Sequence, residues 1–188
     1  MPHPTQMSAA DTGLLVIDVQ VKLVPMIVQA ERLVNNIAFL LDVARALEVP
    51  VLATEQYPRG LGVTVPELAR RLGDRPDKVR FSSCAVPALV ETFQTHGRPK
   101  VVLCGIETHV CVLHTALDLL ALDFRVFVAA DAVGSRYPTD HDTALRRLEQ
   151  AGAVLTTVET CAFEWMGGAD HPRFKDVSKL VQERMKTL

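Results

Sequence analysis

The sequence predicts an α/β protein, a three-layer doubly wound fold in which helices cover both faces of a parallel sheet. Three observations predict it. Apolar runs such as GLLVIDVQ, VVLC and RVFVAA are continuous rather than alternating, as strands buried on both faces are. Segments with apolar residues at helical spacing separate these runs. The 188 residues, 48% of them apolar, are enough for one compact domain with a sizeable core.

The elements follow in order. Residues 1–12, MPHPTQMSAADT, read as a polar leader, and 13–188 as a single domain. GLLVIDVQ is the first strand, and Asp18 stands where it reaches the edge of the sheet. Leu33, Val34, Ile37, Leu40, Leu41, Ala44 and Leu47 give Glu31 to Glu48 a helical stripe, with Pro50 shortly beyond its end. PVLAT is the second strand. EQYPRGLGVTVP, Glu55 to Pro66, holds two Gly and two Pro without periodicity and reads as a loop.

A short helix from Pro66 to Leu72 leads to KVRFSS, a weaker extended segment carrying Lys78. Val86 to Thr95 is helical and Gly97 supplies a stop. Lys100 to Cys104 is the next strand, Thr108 to Leu122 a helix, RVFVAA a strand and DAVGSRYPTD a loop. A helix from Asp140 to Gln150 ends before Gly152, and AVLTT closes the sheet. Glu159 to Met166 and the face formed by Val177, Leu180, Val181 and Met185 are the last helices.

Charge and composition narrow the function classes. The formal net charge is -2, with no block of one sign, so no nucleic-acid or anionic-membrane footprint is expected. The first residues lack a basic start and apolar core, and no apolar run reaches membrane-spanning length. Cys84, Cys104, Cys111 and Cys161 are widely spaced without a CxxC, which suits free thiols in a reducing, cytoplasmic setting.

The stretch GIETHVC, Gly105 to Cys111, carries the chemistry. It lies between the VVLC strand and the helix VLHTALDLLALDF, which places the Cys111 thiol in a first helical turn. Unpaired N–H groups and the helix dipole there favour a thiolate and could hold an oxyanion. In doubly wound folds ligands bind beyond the carboxyl ends of the strands, the edge where Asp18, Lys78 and Cys111 fall. Asp18 could take the thiol proton and return it to a leaving amine, while Lys78 offsets the negative charges.

Each residue also has a plainer role open to it. Asp18 could cap the next helix, Lys78 could be a solvated lysine with Arg80 as a rival cation, and Cys111 could be a packed thiol. His109, Cys111 and His114 suggest a metal, but a structural zinc takes four ligands. His114 could be the base. Cys84, Cys104 and Cys161 read as structural. GLG in the Glu55 to Pro66 loop lacks the context of a dinucleotide fingerprint, so no NAD is assigned.

On LLVIDVQ, TEQYPRGLGVTVPEL, KVRFSS and above all GIETHVCVLHTALDLL, the chain resembles the isochorismatase-like cysteine hydrolases, in particular the isochorismatase-domain-containing branch. The resemblance implies a Rossmann-like isochorismatase fold with a six-stranded parallel sheet. It implies a triad of Asp18, Lys78 and Cys111, a cis peptide before Glu107, and an oxyanion hole formed by the Glu107 and Cys111 backbone N–H groups. Nicotinamidases of the family bind metal through a DxH pair; here the stretch is Glu55, Gln56 and Tyr57, so no metal or other cofactor is expected. The isochorismate-cleaving members lack the nucleophilic Cys.

The expected activity is therefore hydrolysis of a small amide or related C–N bond through a thioester. Tyr57 and Phe81 are expected to wall the substrate pocket, and the resemblance suggests a homo-oligomer. Two other classes compete. A catalytically silent scaffold or interaction protein could keep the fold, and thiol redox chemistry would need a resolving Cys that no sequence neighbour of Cys111 supplies.

Overall fold

A computed structural model describes residues 3–186; the outer ends of the expected leader and tail, 1–2 and 187–188, lie outside them. Strands β1 (Thr12–Ile17), β2 (Val51–Gln56), β3 (Asp77–Lys78), β4 (Lys100–Ile106), β5 (Arg125–Gly134) and β6 (Val154–Thr156) form one sheet in the order β3-β2-β1-β4-β5-β6. Every strand pair is parallel. Helices α1 (Ala30–Ala46), α2 (Pro58–Leu61), α3 (Pro66–Ala69), α4 (Pro87–Thr95), α5 (Leu113–Ala121), α6 (Pro138–Gln150), α7 (Val158–Met166) and α8 (Phe174–Met185) connect or cover it.

Parallel pairing forces crossovers, and these bury both faces of the sheet. Alternate strand residues therefore belong to different cores. Leu14, Val16, Val102 and Cys104 pack with Leu33, Ile37 and Leu40 of α1, Trp165 of α7 and Val177 of α8. Leu15, Ile17, Leu103 and Val128 pack on the other side with Phe93 of α4, Ala116 and Leu119 of α5, and Leu148 of α6. The winding reverses between β1 and β4, because β2 lies on one flank of β1 and β4 on the other. A crevice at the carboxyl ends of these two strands is the expected ligand position.

The elements depart from the sequence reading in several places. β2 runs on through Gln56, and α2 occupies part of the expected Glu55 to Pro66 loop. Pro58 presets the first helical φ there, and Gly62 ends the turn at φ +78°. The weak KVRFSS segment contributes only Lys78 to β3. β5 continues past the acid Asp131 to Gly134, with an irregular register opposite Leu103 to Gly105. The leader is docked: Met7 is buried, its N–H donates to Glu164, and Lys100 Nζ donates to the Gln6 carbonyl.

Candidate active site

Asp18 follows β1 directly and adopts φ +54°, a left-handed conformation that Asp tolerates better than most residues. Its side chain is fully buried, and the next helical turn has Leu23 as its N-cap with no side-chain cap bond. Thr54 Oγ1 donates to Oδ1 at 2.8 Å, and Lys78 Nζ donates to Oδ2 at 2.6 Å.

Lys78 is buried as well, and its ammonium is surrounded by acceptors. Besides Asp18, Nζ donates to Gln56 Oε1 at 2.7 Å, the Phe81 carbonyl at 2.8 Å and the Arg80 carbonyl at 3.3 Å. Arg80, the other cation of this segment, is exposed. Tyr57 and Phe81 flank the same strand end: Tyr57 N–H donates to the Lys78 carbonyl at 2.9 Å. Both rings are about half exposed.

Gly105 brings the third residue to this place. At φ +122°, it lies so close to β1 that a Cβ would collide with the Ile17 backbone. The Ile106–Glu107 peptide is cis. The first turn after it, Thr108–Val112, is a π-helical turn and not the α-helical one that spacing predicts. Val110 and Val112 N–H both donate to the Glu107 carbonyl, at 3.0 and 3.2 Å, and the Cys111 N–H between them makes no bond to that carbonyl. π-turns insert a residue and recur at functional sites.

Cys111 lies beside both Asp18 and Lys78. Its thiol is pushed up to about 12, first by burial and then by the Asp18 charge, against the opposing pull of Lys78. This corrects the thiolate expected from a helix N-terminus. Burial and a carboxylate neighbour act on this thiol in the direction opposite to a helix dipole.

The two histidines near Cys111 make contacts of their own. His114 Nδ1 is hydrogen-bonded to the Val110 carbonyl at 2.7 Å, and its ring packs on Phe81 with centroids 5.8 Å apart. His109 pairs with Ser135 Oγ at 3.0 Å. Among the described residues no group of three metal-ligating side chains converges. Glu55 accepts from Thr64 N–H, Thr64 Oγ1 and Arg75. Burial alone would raise its carboxyl, but these donors hold it below the usual range.

The family model that matches the chain is the isochorismatase domain, over residues 12–160. The chain belongs to the isochorismatase family. It is 45% identical over 172 residues to mouse isochorismatase domain-containing protein 2A, covering 90% of this chain and 82% of that one. The MAR1 ribonuclease of Caenorhabditis elegans superposes with a TM-score of 0.90 at 42% identity, covering 95% and 93%. The Escherichia coli YcaC protein, an octameric hydrolase of unknown specificity, shares the fold at a TM-score of 0.84 and 24% identity, with both chains fully covered.

Sequence reasoning missed the groups that hold this family site in place. Gln20 is fully buried and clamps the end of β2: its amide nitrogen donates to the Gln56 carbonyl, and its amide oxygen accepts from Gln56 N–H. Arg136 donates through its backbone N–H and Nε to Glu107 Oε2, both at 3.1 Å. A Gln after the first strand and an Arg in a loop carry no local signal of these long-range roles.

Proposed function

We propose that the protein is a cysteine hydrolase acting on a small amide or related C–N bond. The observation that carries this reading is the buried meeting of Asp18, Lys78 and Cys111 at the switch point of the sheet. Asp18 takes the Cys111 proton as Sγ attacks the carbonyl carbon, and the Glu107 and Cys111 N–H groups hold the oxyanion. Asp18 then protonates the leaving amine, giving a thioester and a free amine. Water, losing its proton to Asp18, cleaves the thioester, releases the acid and restores the thiol. The Lys78 ammonium, 2.6 Å from Asp18 Oδ2, offsets the negative charge that passes between carboxylate and sulfur.

Tyr57 and Phe81 wall the substrate in this account, since both half-exposed rings sit at the strand end that bears Lys78. Val63 and Val79 are also exposed apolar residues, which suits a homo-oligomer of the kind described for YcaC. Four unpaired cysteines suit a cytoplasmic setting. The Caenorhabditis elegans relative is named a ribonuclease, and two Leishmania relatives carry that name provisionally, yet a buried thiol and carboxylate fit acyl transfer rather than phosphodiester cleavage, and no nucleic-acid partner is proposed.

A panel of small amides, with oligoribonucleotides included, tests the reading. The expected result is release of amine from one amide class, abolished in Cys111→Ala and reduced at least about 100-fold in Asp18→Asn. Amine release undiminished in Cys111→Ala, or cleavage of RNA in place of amides, would overturn it.

A further inference from the structure

A line of hydroxyl groups links the proposed base to the backbone of the proposed nucleophile, running behind the site. Thr54 Oγ1 donates to Asp18 Oδ1 at 2.8 Å. Its single proton is committed there, so in the 3.1 Å contact between Thr54 Oγ1 and Ser83 Oγ the serine is the donor. Ser83 N–H donates to Thr115 Oγ1 at 2.9 Å, and Thr115 Oγ1 donates to the Cys111 carbonyl at 2.7 Å. Asp18, Thr54, Ser83 and Thr115 are all fully or almost fully buried.

Both hydroxyl protons point toward the carboxylate. Donors so arranged favour the charged form of their acceptor and strengthen one another in a poorly solvated site. They also fix geometry. With Oδ2 held by Lys78 and Oδ1 by Thr54, the Asp18 carboxylate cannot turn about its own axis. Through Ser83 and Thr115, the same chain ties β2 to the peptide carrying Cys111.

We propose that Thr54, backed by Ser83, is a positioning residue that orients the Asp18 carboxylate and holds it in its proton-accepting form opposite Cys111. The inference rests on the assignment of Asp18 as the base for Cys111. Thr54 acts through Asp18. The charged and titratable groups facing Asp18 are Lys78 from β3 and Cys111 from the π-turn, and substitutions at Thr54 and Ser83 leave both in place.

The test is the pH dependence of iodoacetamide alkylation at Cys111 in the whole protein, resolved by peptide mass spectrometry, with thermal unfolding followed in parallel. In wild type the rate falls on the acid side as the Asp18–Cys111 pair takes up protons. Thr54→Val displaces that acid limb upward by about one pH unit. Thr54→Ser, which keeps the hydroxyl, restores it, and Ser83→Ala gives a smaller displacement in the same direction. A folded Thr54→Val with its acid limb at the wild-type position overturns the proposal. If Thr54→Val does not fold, an unmoved limb in Ser83→Ala overturns it. An Asp18→Asn profile identical to wild type overturns instead the base assignment, so the two failures are distinguishable.

Discussion

Lys78 Nζ lies 2.6 Å from Asp18 Oδ2, and both side chains are essentially closed to solvent. In such a place each charge depends on the other. Desolvating an ion is costly, and removal of one partner leaves the second uncompensated. The pair joins the middle of the sheet to its edge: Asp18 directly follows the central strand β1, whereas Lys78 ends the two-residue edge strand β3.

Lys78→Met is expected to destabilise the protein by about 3–5 kcal/mol, the cost typical of a broken buried pair. The double variant Asp18→Leu/Lys78→Met should recover most of that loss, since two apolar side chains leave no orphaned charge. Urea unfolding at neutral pH of the two single variants and the double variant measures both effects. A double variant no more stable than Lys78→Met would show that the pairing is not what holds this corner together.

Gly105→Ala is expected to cost about 3 kcal/mol or more. The new methyl meets the Ile17 backbone, which cannot move without shifting β1, and φ +122° is strained for any side chain. Circular dichroism during thermal unfolding reads the loss. Near-wild-type melting would mean that β1 and β4 do not approach so closely.

Cys111 links stability to alkaline pH. Its thiol is raised from 9.0 to about 12, so the protein keeps a proton that the unfolded chain releases. A raised value contributes stability that is complete below about pH 9 and is lost as pH climbs toward the folded value. Wild type should therefore lose more stability than Cys111→Ala between about pH 8 and pH 10.5, by about 1–2 kcal/mol. Denaturant unfolding at the two pH values gives the difference, and parallel losses would contradict it. Cys84, raised to about 11, and Cys161, raised to about 12, titrate in the same window and are common to both proteins.

Much of the fold was legible because burial on both faces writes itself as continuous apolar runs. GLLVIDVQ and VVLC became the two central strands, and the acid after the first became Asp18 of the crevice. GIETHVC was legible for a similar reason: strand, glycine and helix start lie together in sequence. The state of the thiol was not. A helix N-terminus is a local feature, whereas the burial and the Asp18 charge that oppose it arrive from distant segments. The same holds for Thr54, Ser83 and Thr115, ordinary hydroxyl residues on three segments whose alignment exists only in the fold. The π-turn likewise carries no spacing that separates it from an α-helical start.

Arg136 offers a test of how firmly the oxyanion turn is held. Its guanidinium is partly exposed, so the ion pair with Glu107 should contribute no more than about 1 kcal/mol to stability. Its two bonds to Glu107 Oε2 nevertheless fix the residue whose N–H is the proposed oxyanion donor. Arg136→Ala is expected to lower kcat about 10-fold with little change in melting temperature. Unchanged kcat would place Glu107 outside the machinery.

The most direct test of the central claim is a rapid-quench experiment on wild type and Cys111→Ala, using an amide that the panel shows to be hydrolysed. Peptide mass spectrometry reads where the acyl group resides before water releases it. The account predicts an acyl mass on the Cys111 peptide of wild type at early times and neither adduct nor turnover in Cys111→Ala. An acyl group on any other residue, or amine release from Cys111→Ala at the wild-type rate, would contradict it.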